Sequence, residues 1–204
     1  MTDHLEAPGD RIDPVPANTD DRLEPVRDPV EVEEQEPKAE HAPGRFEVPP
    51  GYQVLTGSPD GDRRSVGIVV AKFNGEITSR LLERALEALE AANVPRAAVT
   101  IVPVPGAFEL PLAAIAMAKT RRYACIIALG CVVRGETPHF DFVAGEAASG
   151  LQLAAIETGV PVSFGVLTTE TVEQAEARLD RAADAVHGAL EMADVFQQLR
   201  AAAR

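Results

Sequence analysis

Four apolar runs of strand length follow one another along the chain, and each is succeeded by a segment in which apolar positions recur at helical spacing. The runs cover residues 65–71, 98–102, 124–130 and 162–167. The helical segments cover residues 77–93, 107–120, 140–158 and about 171 onward. Runs without polar alternation are typical of strands buried on both faces, as in parallel sheets with right-handed crossovers. The pattern therefore predicts the α/β class, as a three-layer α/β/α sandwich with a four-stranded parallel sheet.

A fifth, shorter stretch at residues 52–56 precedes the turn-rich residues 57–62. Two structures fit this stretch: a hairpin, or a strand lent to a neighbouring subunit. The second would add a short N-terminal strand, shared between subunits, to the predicted fold.

The first 50 residues differ in composition from the rest of the chain. They hold 14 acidic and five basic side chains, and nine of the 16 prolines, in a chain of net charge −13. With almost no apolar clusters, this segment cannot bury enough surface to offset the entropy of ordering. We therefore predict a disordered acidic tail at residues 1–50 and one folded domain at residues 51–204. Two roles for the tail remain open, solubilisation and the binding of a cargo or partner.

Composition also argues against several classes of partner. Nucleic-acid binding needs a basic stripe, whereas the clusters here are only Arg63–Arg64 and Arg121–Arg122, interpreted as solvated loop charges. No apolar stretch reaches the roughly 20 residues that span a bilayer, and the first 30 residues lack a signal-peptide core. Cys125 and Cys131 lack the spacing of a zinc or redox pair and are predicted to be buried, reduced thiols. These features predict a cytoplasmic protein without nucleic-acid or membrane partners.

The candidate chemistry follows the ends of the strands. The carboxyl ends of parallel strands meet at one edge of the sheet, where ligands bind in open α/β folds. The segments expected there are residues 73–74, 105–109 and 130–139, with Phe164 near the end of the fourth strand. Phe73, Phe108 and Phe164 together predict an aromatic-walled pocket for a flat heterocycle. The alternative for each ring is ordinary core packing.

His139 lies in the glycine-bearing loop at this edge, two residues from the hydroxyl of Thr137. An imidazole exchanges its proton near neutral pH, so this side chain suits proton transfer. The alternative is a loop histidine that donates a hydrogen bond to a neighbouring carbonyl. Glu109 opens a predicted helix, where its carboxylate could bind a ligand or simply stabilise the helix N-terminus.

Arg178 lies on the last predicted helical segment without an acidic residue three or four positions away. Arg181 follows one turn later and has Asp184 as a potential ion partner. Two guanidinium groups on one turn of an acidic protein suit a dianion, with Arg178 the freer of the two. A solvated surface arginine is the alternative.

With these features placed, the chain resembles the 6,7-dimethyl-8-ribityllumazine synthase family over residues 52–204. The resemblance is carried by four ordered segments, residues 67–74, 104–111, 128–142 and 159–169. It implies the condensation of 5-amino-6-(D-ribitylamino)uracil with 3,4-dihydroxy-2-butanone 4-phosphate, a step of riboflavin biosynthesis that releases phosphate and water. It also implies that no metal or organic cofactor takes part.

The resemblance assigns a role to each candidate residue. Phe73 would stack on the pyrimidine ring, and Phe164 of a neighbouring subunit would line the same pocket. The ribityl chain would be held by Asn74, Ala107, Phe108 and Glu109, and the polar edge of the ring by the backbone of Cys131, Val132 and Val133. Glu136, Thr137 and their loop would receive the butanone phosphate, together with Arg178 from across a subunit boundary. His139 would shuttle protons.

The resemblance further implies homopentamers, sometimes twelve of them in an icosahedral shell, with sites between subunits. One departure concerns the segment after Arg178, where the family usually has a glycine-rich turn with a lysine. That lysine is absent here, so Arg181 is a candidate replacement, and the last two helices are expected to be fused or joined by a tighter bend. Two other functions fit less of the pattern: a catalytically weakened lumazine- or flavin-binding shell protein, and a flavodoxin-like module.

Overall fold

The computed structural model describes residues 46–203 of the chain. The predicted disordered tail falls outside the described residues, apart from residues 46–50. The strands are β1 (Val66–Ala71), β2 (Val99–Val104), β3 (Cys125–Val133) and β4 (Val162–Thr169). The helices are α1 (Gly75–Ala91), α2 (Leu110–Lys119), α3 (His139–Thr158), α4 (Val172–Glu176) and α5 (Arg181–Ala202). Two single 3-10 turns, Arg96–Ala98 and Ala107–Glu109, precede β2 and α2.

The four strands form one parallel sheet in the order β2-β1-β3-β4. Val66 of β1 pairs with Val99 of β2 on one side and with Cys125 of β3 on the other. β1 and β3 are therefore the inner strands, which agrees with their near-complete burial. The predicted four-stranded parallel sheet is confirmed.

Alternate side chains of the inner strands pack into two separate cores. Ile68 and Val70 face the layer that contains α1 and α5. Val69 and Ala71 face the opposite layer, which contains α2 and α3. Because both faces of the sheet are covered, the strands lack polar alternation, and the predicted three-layer α/β/α sandwich is confirmed.

β3 and β4 extend beyond the ends expected from sequence. The added residues pair with each other, as Val132 does with Thr168 and Val133 with Thr169. The predicted ends, at residues 130 and 167, are therefore too early. Phe164 is the third residue of β4, paired with Ala128, so its expected place at the carboxyl edge is wrong.

The C-terminal helices are joined by a tight bend and are not fused. α4 ends at Glu176, and a turn over residues 177–180 leads into α5. Leu179 is buried in the core that also contains residues of α4 and α5, which explains a turn here without glycine or proline. Arg178 consequently lies on this turn, and its predicted place within a helix is wrong.

The segment before β1 packs on α5. Asp194 accepts hydrogen bonds from Arg64 Nη2, at 2.6 Å, and from the backbone N–H of Ser58, at 3.1 Å. The Arg64 side chain is only 12% exposed, so its interpretation as a solvated loop charge is wrong. Residues 52–56 form no strand within the single chain, and their pairing with a neighbouring subunit stays a prediction.

Gly165 is expected to be essential for the packing of β4. A Cβ atom at this position would lie 2.8 Å from Leu129 Cδ2 and 2.9 Å from the carbonyl oxygen of Ala128. Since these neighbours belong to the inner strand β3, Gly165→Ala should lower the free energy of unfolding by about 1 to 3 kcal/mol. Chemical denaturation of the variant measures this change.

Gly188→Ala is the matched control, since Gly188 lies within α5 and, among residues 46–203, an added Cβ meets no atom within 4 Å beyond its chain neighbours and its own helix backbone. This variant should be unchanged or stabilised by about 0.5 to 1 kcal/mol, because alanine loses less backbone entropy in a helix. Equal stabilities for the two variants would contradict the packing described for β4.

Candidate active site

An open cleft of about 680 Å³ lies where β1, β2 and β3 end. Ten of the 13 predicted site residues line it: Phe73, Asn74, Ala107, Phe108, Glu109, Cys131, Val132, Val133, Thr137 and His139. The cleft has the size of a small-molecule site and is mostly apolar. The structure therefore brings these ten residues together at the edge where the strands end, while their roles stay a prediction.

Hydrogen bonds join the three loops that form the cleft. The backbone N–H of Lys72 donates to Val104 at 2.8 Å, and that of Phe73 donates to Pro105 at 3.1 Å. Asn74 Nδ2 donates to the Cys131 carbonyl oxygen at 2.9 Å, which ties the first loop to β3. This contact fixes the amide of Asn74 while leaving Oδ1 free of hydrogen bonds to residues 46–203.

Asn74 also has a left-handed backbone, with φ 54°, where α1 begins. Asparagine adopts this conformation more readily than most side chains. The same residue therefore turns the chain from β1 into α1 and places its side chain in the cleft.

Aromatic rings form the walls of the cleft and remain open to solvent. Phe73 is 70% exposed, Phe108 57% and Phe142 68%. Core packing is therefore the wrong interpretation of Phe73 and Phe108. Sequence reasoning missed Phe142 as a site residue, although it follows His139 by three positions and so shares its face of α3.

His139 is the first residue of α3 and faces the cleft. Its side chain is exposed and forms no hydrogen bond with any residue in the range 46–203. The alternative of a histidine bonded to a neighbouring carbonyl is therefore wrong for the single chain. Both ring nitrogens are available to a ligand in the cleft.

Glu109 stabilises the helix N-terminus, one of the two roles considered for it, and ligand binding stays a prediction. Oε2 accepts a hydrogen bond of 2.8 Å from the backbone N–H of Gly106, which stabilises the turn before α2. The side chain also lines the cleft, and its second oxygen has no partner within the described part of the chain. One carboxylate oxygen therefore holds the loop, and the other is available to a ligand.

Three predicted site residues do not line the cleft of the single chain: Glu136, Phe164 and Arg178. Glu136 is exposed in the loop between two lining residues, Gly135 and Thr137. Phe164 lies on the edge strand β4, and Arg178 lies on the turn before α5. The sequence interpretation assigned the last two to a neighbouring subunit, and that assignment stays a prediction.

Comparison with known protein families identifies the chain at the level of the family. The sequence profile of 6,7-dimethyl-8-ribityllumazine synthase matches residues 63–197, which include every residue of the cleft. The chain belongs to the lumazine synthase family. Membership relates it to transferases of riboflavin biosynthesis and favours this reading over a flavodoxin-like module.

In this lumazine synthase family member, Arg134 fixes the loop beside His139. Its guanidinium donates two hydrogen bonds to Asp141, of 2.9 and 3.1 Å, and one of 3.0 Å to Glu170. The hydrogen bonds from Arg134 lower the pKa of the Asp141 carboxyl, and those to Asp141 and Glu170 raise the pKa of Arg134. Sequence reasoning missed this cluster, since its members lie on three different elements.

No helix among residues 46–203 is both long and apolar enough to cross a bilayer. In the same range, no group of three or more His, Cys, Asp and Glu side chains is arranged to hold a metal ion.

The two cysteines of this family member are free and buried, as predicted. Burial raises the pKa of the Cys131 thiol to about 11 and that of Cys125 to about 12. Because the thiolate is the reactive form, both thiols should stay protonated and unreactive until the pH approaches these values. At pH 8, alkylation by iodoacetamide should be at least about 10²-fold slower than for a free cysteine.

Mass spectrometry of the native and guanidinium-unfolded protein measures this protection. Both cysteines should be labelled rapidly only after unfolding. Rapid labelling of Cys131 in the native protein would contradict its burial beneath the cleft.

Proposed function

We propose that the protein condenses 5-amino-6-(D-ribitylamino)uracil with 3,4-dihydroxy-2-butanone 4-phosphate to give 6,7-dimethyl-8-ribityllumazine. The observation that carries the proposal is the cleft at the carboxyl edge of the sheet, where His139 meets aromatic walls in a chain of this family. The catalytic domain in this proposal is residues 51–204, and residues 1–50 form a separate tail.

The ring substrate would occupy the aromatic part of the cleft. Phe73 offers an exposed face for stacking on a planar pyrimidine, a contact that contributes about 0.5 to 1.5 kcal/mol beyond burial. Asn74 Oδ1 and the free oxygen of Glu109 can accept hydrogen bonds from the ribityl hydroxyls, aided by the backbone of Ala107 and Phe108. The backbone of Cys131, Val132 and Val133 would meet the polar edge of the ring.

Catalysis would rest on positioning and on proton transfer. Holding the amine at attack distance from the carbonyl of the second substrate supplies much of the acceleration, because both substrates are reactive. His139 would take and return protons during imine formation, loss of phosphate and ring closure. No step in this scheme requires a metal or an organic cofactor.

The charge distribution indicates that a single chain forms only part of the phosphate site. Among residues 46–203, no lysine or arginine lines the cleft. Thr137 and the loop at Glu136 can donate hydrogen bonds, but a phosphate dianion also favours a positive charge. We assign that charge to Arg178 of a neighbouring subunit and the last wall of the ring site to its Phe164.

Arg181 remains a hypothetical replacement for the lysine expected after Arg178. Its guanidinium pairs with Asp184 at 3.1 Å, as predicted from their spacing. The carboxylate of Asp184 partly neutralises the charge of Arg181, although the Arg181 side chain is 60% exposed. An unchanged Michaelis constant for the phosphate-bearing substrate in Arg181→Ala would contradict the hypothesis that Arg181 replaces the lysine.

Exposed apolar side chains support an oligomer. α2 and α3 pack side by side and leave Leu112, Leu153 and Ile156 more than half exposed. Large exposed apolar side chains on adjacent helices are typical of protein interfaces. We propose a homopentamer or a 60-subunit shell, which the mass of the native particle distinguishes. Its compartment would be the cytoplasm, where free thiols such as these stay reduced.

A direct assay tests the proposed reaction. Purified protein mixed with both substrates should produce the lumazine absorbance and release phosphate in equal amounts. Neither signal should appear when either substrate is left out. Absence of product from folded protein would contradict the proposed condensation.

One observation favours a second candidate, a catalytically weakened member that binds lumazine or flavin in a shell. The turn over residues 177–180 is short and carries no lysine. This candidate predicts binding of the ribityl-bearing ring, measurable by calorimetry, without turnover. The condensation assay and the binding measurement together distinguish the two.

A further inference from the structure

Arg134 lies at the junction of three structural elements beside the cleft. It follows β3 directly, and its backbone N–H donates to the Thr169 carbonyl oxygen at the end of β4, at 2.9 Å. The next four residues form the loop that carries Glu136 and Thr137 and ends at His139. Any displacement of Arg134 would therefore be transmitted to both ends of this loop.

The side chain of Arg134 spans the loop that its backbone begins. Two parallel hydrogen bonds reach Asp141 in the first turn of α3, and a third reaches Glu170 after β4. The guanidinium also lies 4.1 Å from the ring centroid of Phe140, the residue after His139. A two-point contact with a carboxylate fixes orientation as well as distance. These contacts hold the start of α3, and with it His139, against the ends of β3 and β4.

Direct binding of substrate is a poor explanation for Arg134. The side chain is not among those that line the cleft. Its single positive charge already faces two carboxylates, so the cluster carries a net negative charge that disfavours an added phosphate.

General stabilisation of the fold explains the cluster no better. The three side chains are 37%, 59% and 61% exposed. Exposed ion pairs contribute little to the free energy of unfolding, because water and salt screen them. An effect on geometry is therefore expected to exceed any effect on stability.

We propose that Arg134 is a positioning residue, which holds the loop from residue 134 to residue 139 so that Thr137 and His139 meet the substrates in reactive geometry. The inference rests on the proposed condensation. A misplacement of about 1 Å at a reacting group can lower a rate by about 10²-fold.

The test is a steady-state comparison of Arg134→Gln, Arg134→Lys and Asp141→Asn with the wild-type protein. Arg134→Gln should lower kcat by about 10- to 100-fold, while the Michaelis constant of the ribityl-bearing substrate changes less than about threefold. Arg134→Lys keeps the charge but not the two-point contact, so it should recover only part of the loss. Asp141→Asn should also lower kcat, because it weakens the same two-point contact from the partner side.

The double variant Arg134→Gln/Asp141→Asn tests whether the contacts act as a unit. Its kcat should lie within about twofold of the kcat of Arg134→Gln, because that single change already removes the contact between Arg134 and Asp141. Arg96→Gln is the matched control, because Arg96 forms an exposed ion pair with Glu90 away from the cleft. Its kcat should equal that of the wild type.

Thermal unfolding separates positioning from stability. Should Arg134→Gln populate unfolded protein at the assay temperature, Asp141→Asn/Glu170→Gln weakens the same contacts to residues 141 and 170 while keeping Arg134, and it is expected to lower kcat as well. A kcat within twofold of wild type in folded variants would overturn the inference. So would a raised Michaelis constant for the phosphate-bearing substrate at constant kcat, which would make Arg134 a ligand. A wild-type protein without activity would instead contradict the proposed function, and the inference would fall with it.

Discussion

Replacing His139 with alanine is expected to lower turnover of the condensation by about 10²- to 10⁴-fold, the usual loss when a general acid or base is removed. The imidazole faces the cleft from the first residue of α3 and has no hydrogen bond to residues 46–203 that would commit it elsewhere. Binding of both substrates should change much less than turnover, because the aromatic walls remain. Steady-state kinetics with each substrate varied in turn measures both quantities.

His187→Ala is the matched control for this experiment. His187 is exposed on α5 and does not line the cleft, so its loss should leave turnover unchanged. Residual activity in His139→Ala is expected, since positioning of two reactive substrates continues without the imidazole. Turnover in His139→Ala equal to that of His187→Ala would contradict the proposed role of His139 in proton transfer.

Replacing Arg178 with alanine is expected to raise the Michaelis constant of the phosphate-bearing substrate by about ten- to 150-fold. This range corresponds to the loss of about 1.5 to 3 kcal/mol for a hydrogen bond to a charged group. Within the described residues the guanidinium donates only to the carbonyl oxygen of Gln174, at 2.9 Å, and forms no ion pair. Its charge is therefore available to an anion brought by a neighbouring subunit.

The affinity for the ribityl-bearing substrate should stay within about threefold of wild type in Arg178→Ala, because no ring contact is lost. Arg96→Ala provides the control for loss of a surface arginine. A Michaelis constant for the phosphate-bearing substrate that matches this control would show that Arg178 is not its ligand.

The layers of the fold follow from local sequence pattern, whereas the strand ends do not. β1 and β3 could be predicted because their burial on both faces demands continuous apolar runs. The last residues of β3 and β4 are strand because they pair with each other, as Val133 does with Thr169. A partner 36 residues away along the chain leaves no local signal, so the predicted ends of these two strands are too early.

The bend before α5 has a similar explanation. The sequence contains no glycine or proline from Thr171 to His187, so a fused helix fits the sequence as well as a bend. Burial of Leu179 in the core turns the chain at that point, and this contact forms only after the sheet and helices pack.

The cleft could be predicted from sequence in its position but only partly in its contacts. Convergence of parallel strand ends brings Asn74, Glu109 and His139 together whatever their neighbours are. The contacts of Arg134 depend on the directions of side chains from β3, α3 and the segment after β4. Contacts of this kind cannot be derived from spacing along the chain.

We propose that each site takes His139 from one subunit and Arg178 from its neighbour. Mixed assemblies of His139→Ala and Arg178→Ala subunits test it most directly, at a low concentration of the phosphate-bearing substrate. With random mixing in equal amounts, about one quarter of the shared sites contain both intact residues. We expect co-assembled protein to be much more active than the average of the two separate variants. Activity equal to that average would mean that both residues act within one chain, or not at all, and would rule out a site shared between subunits.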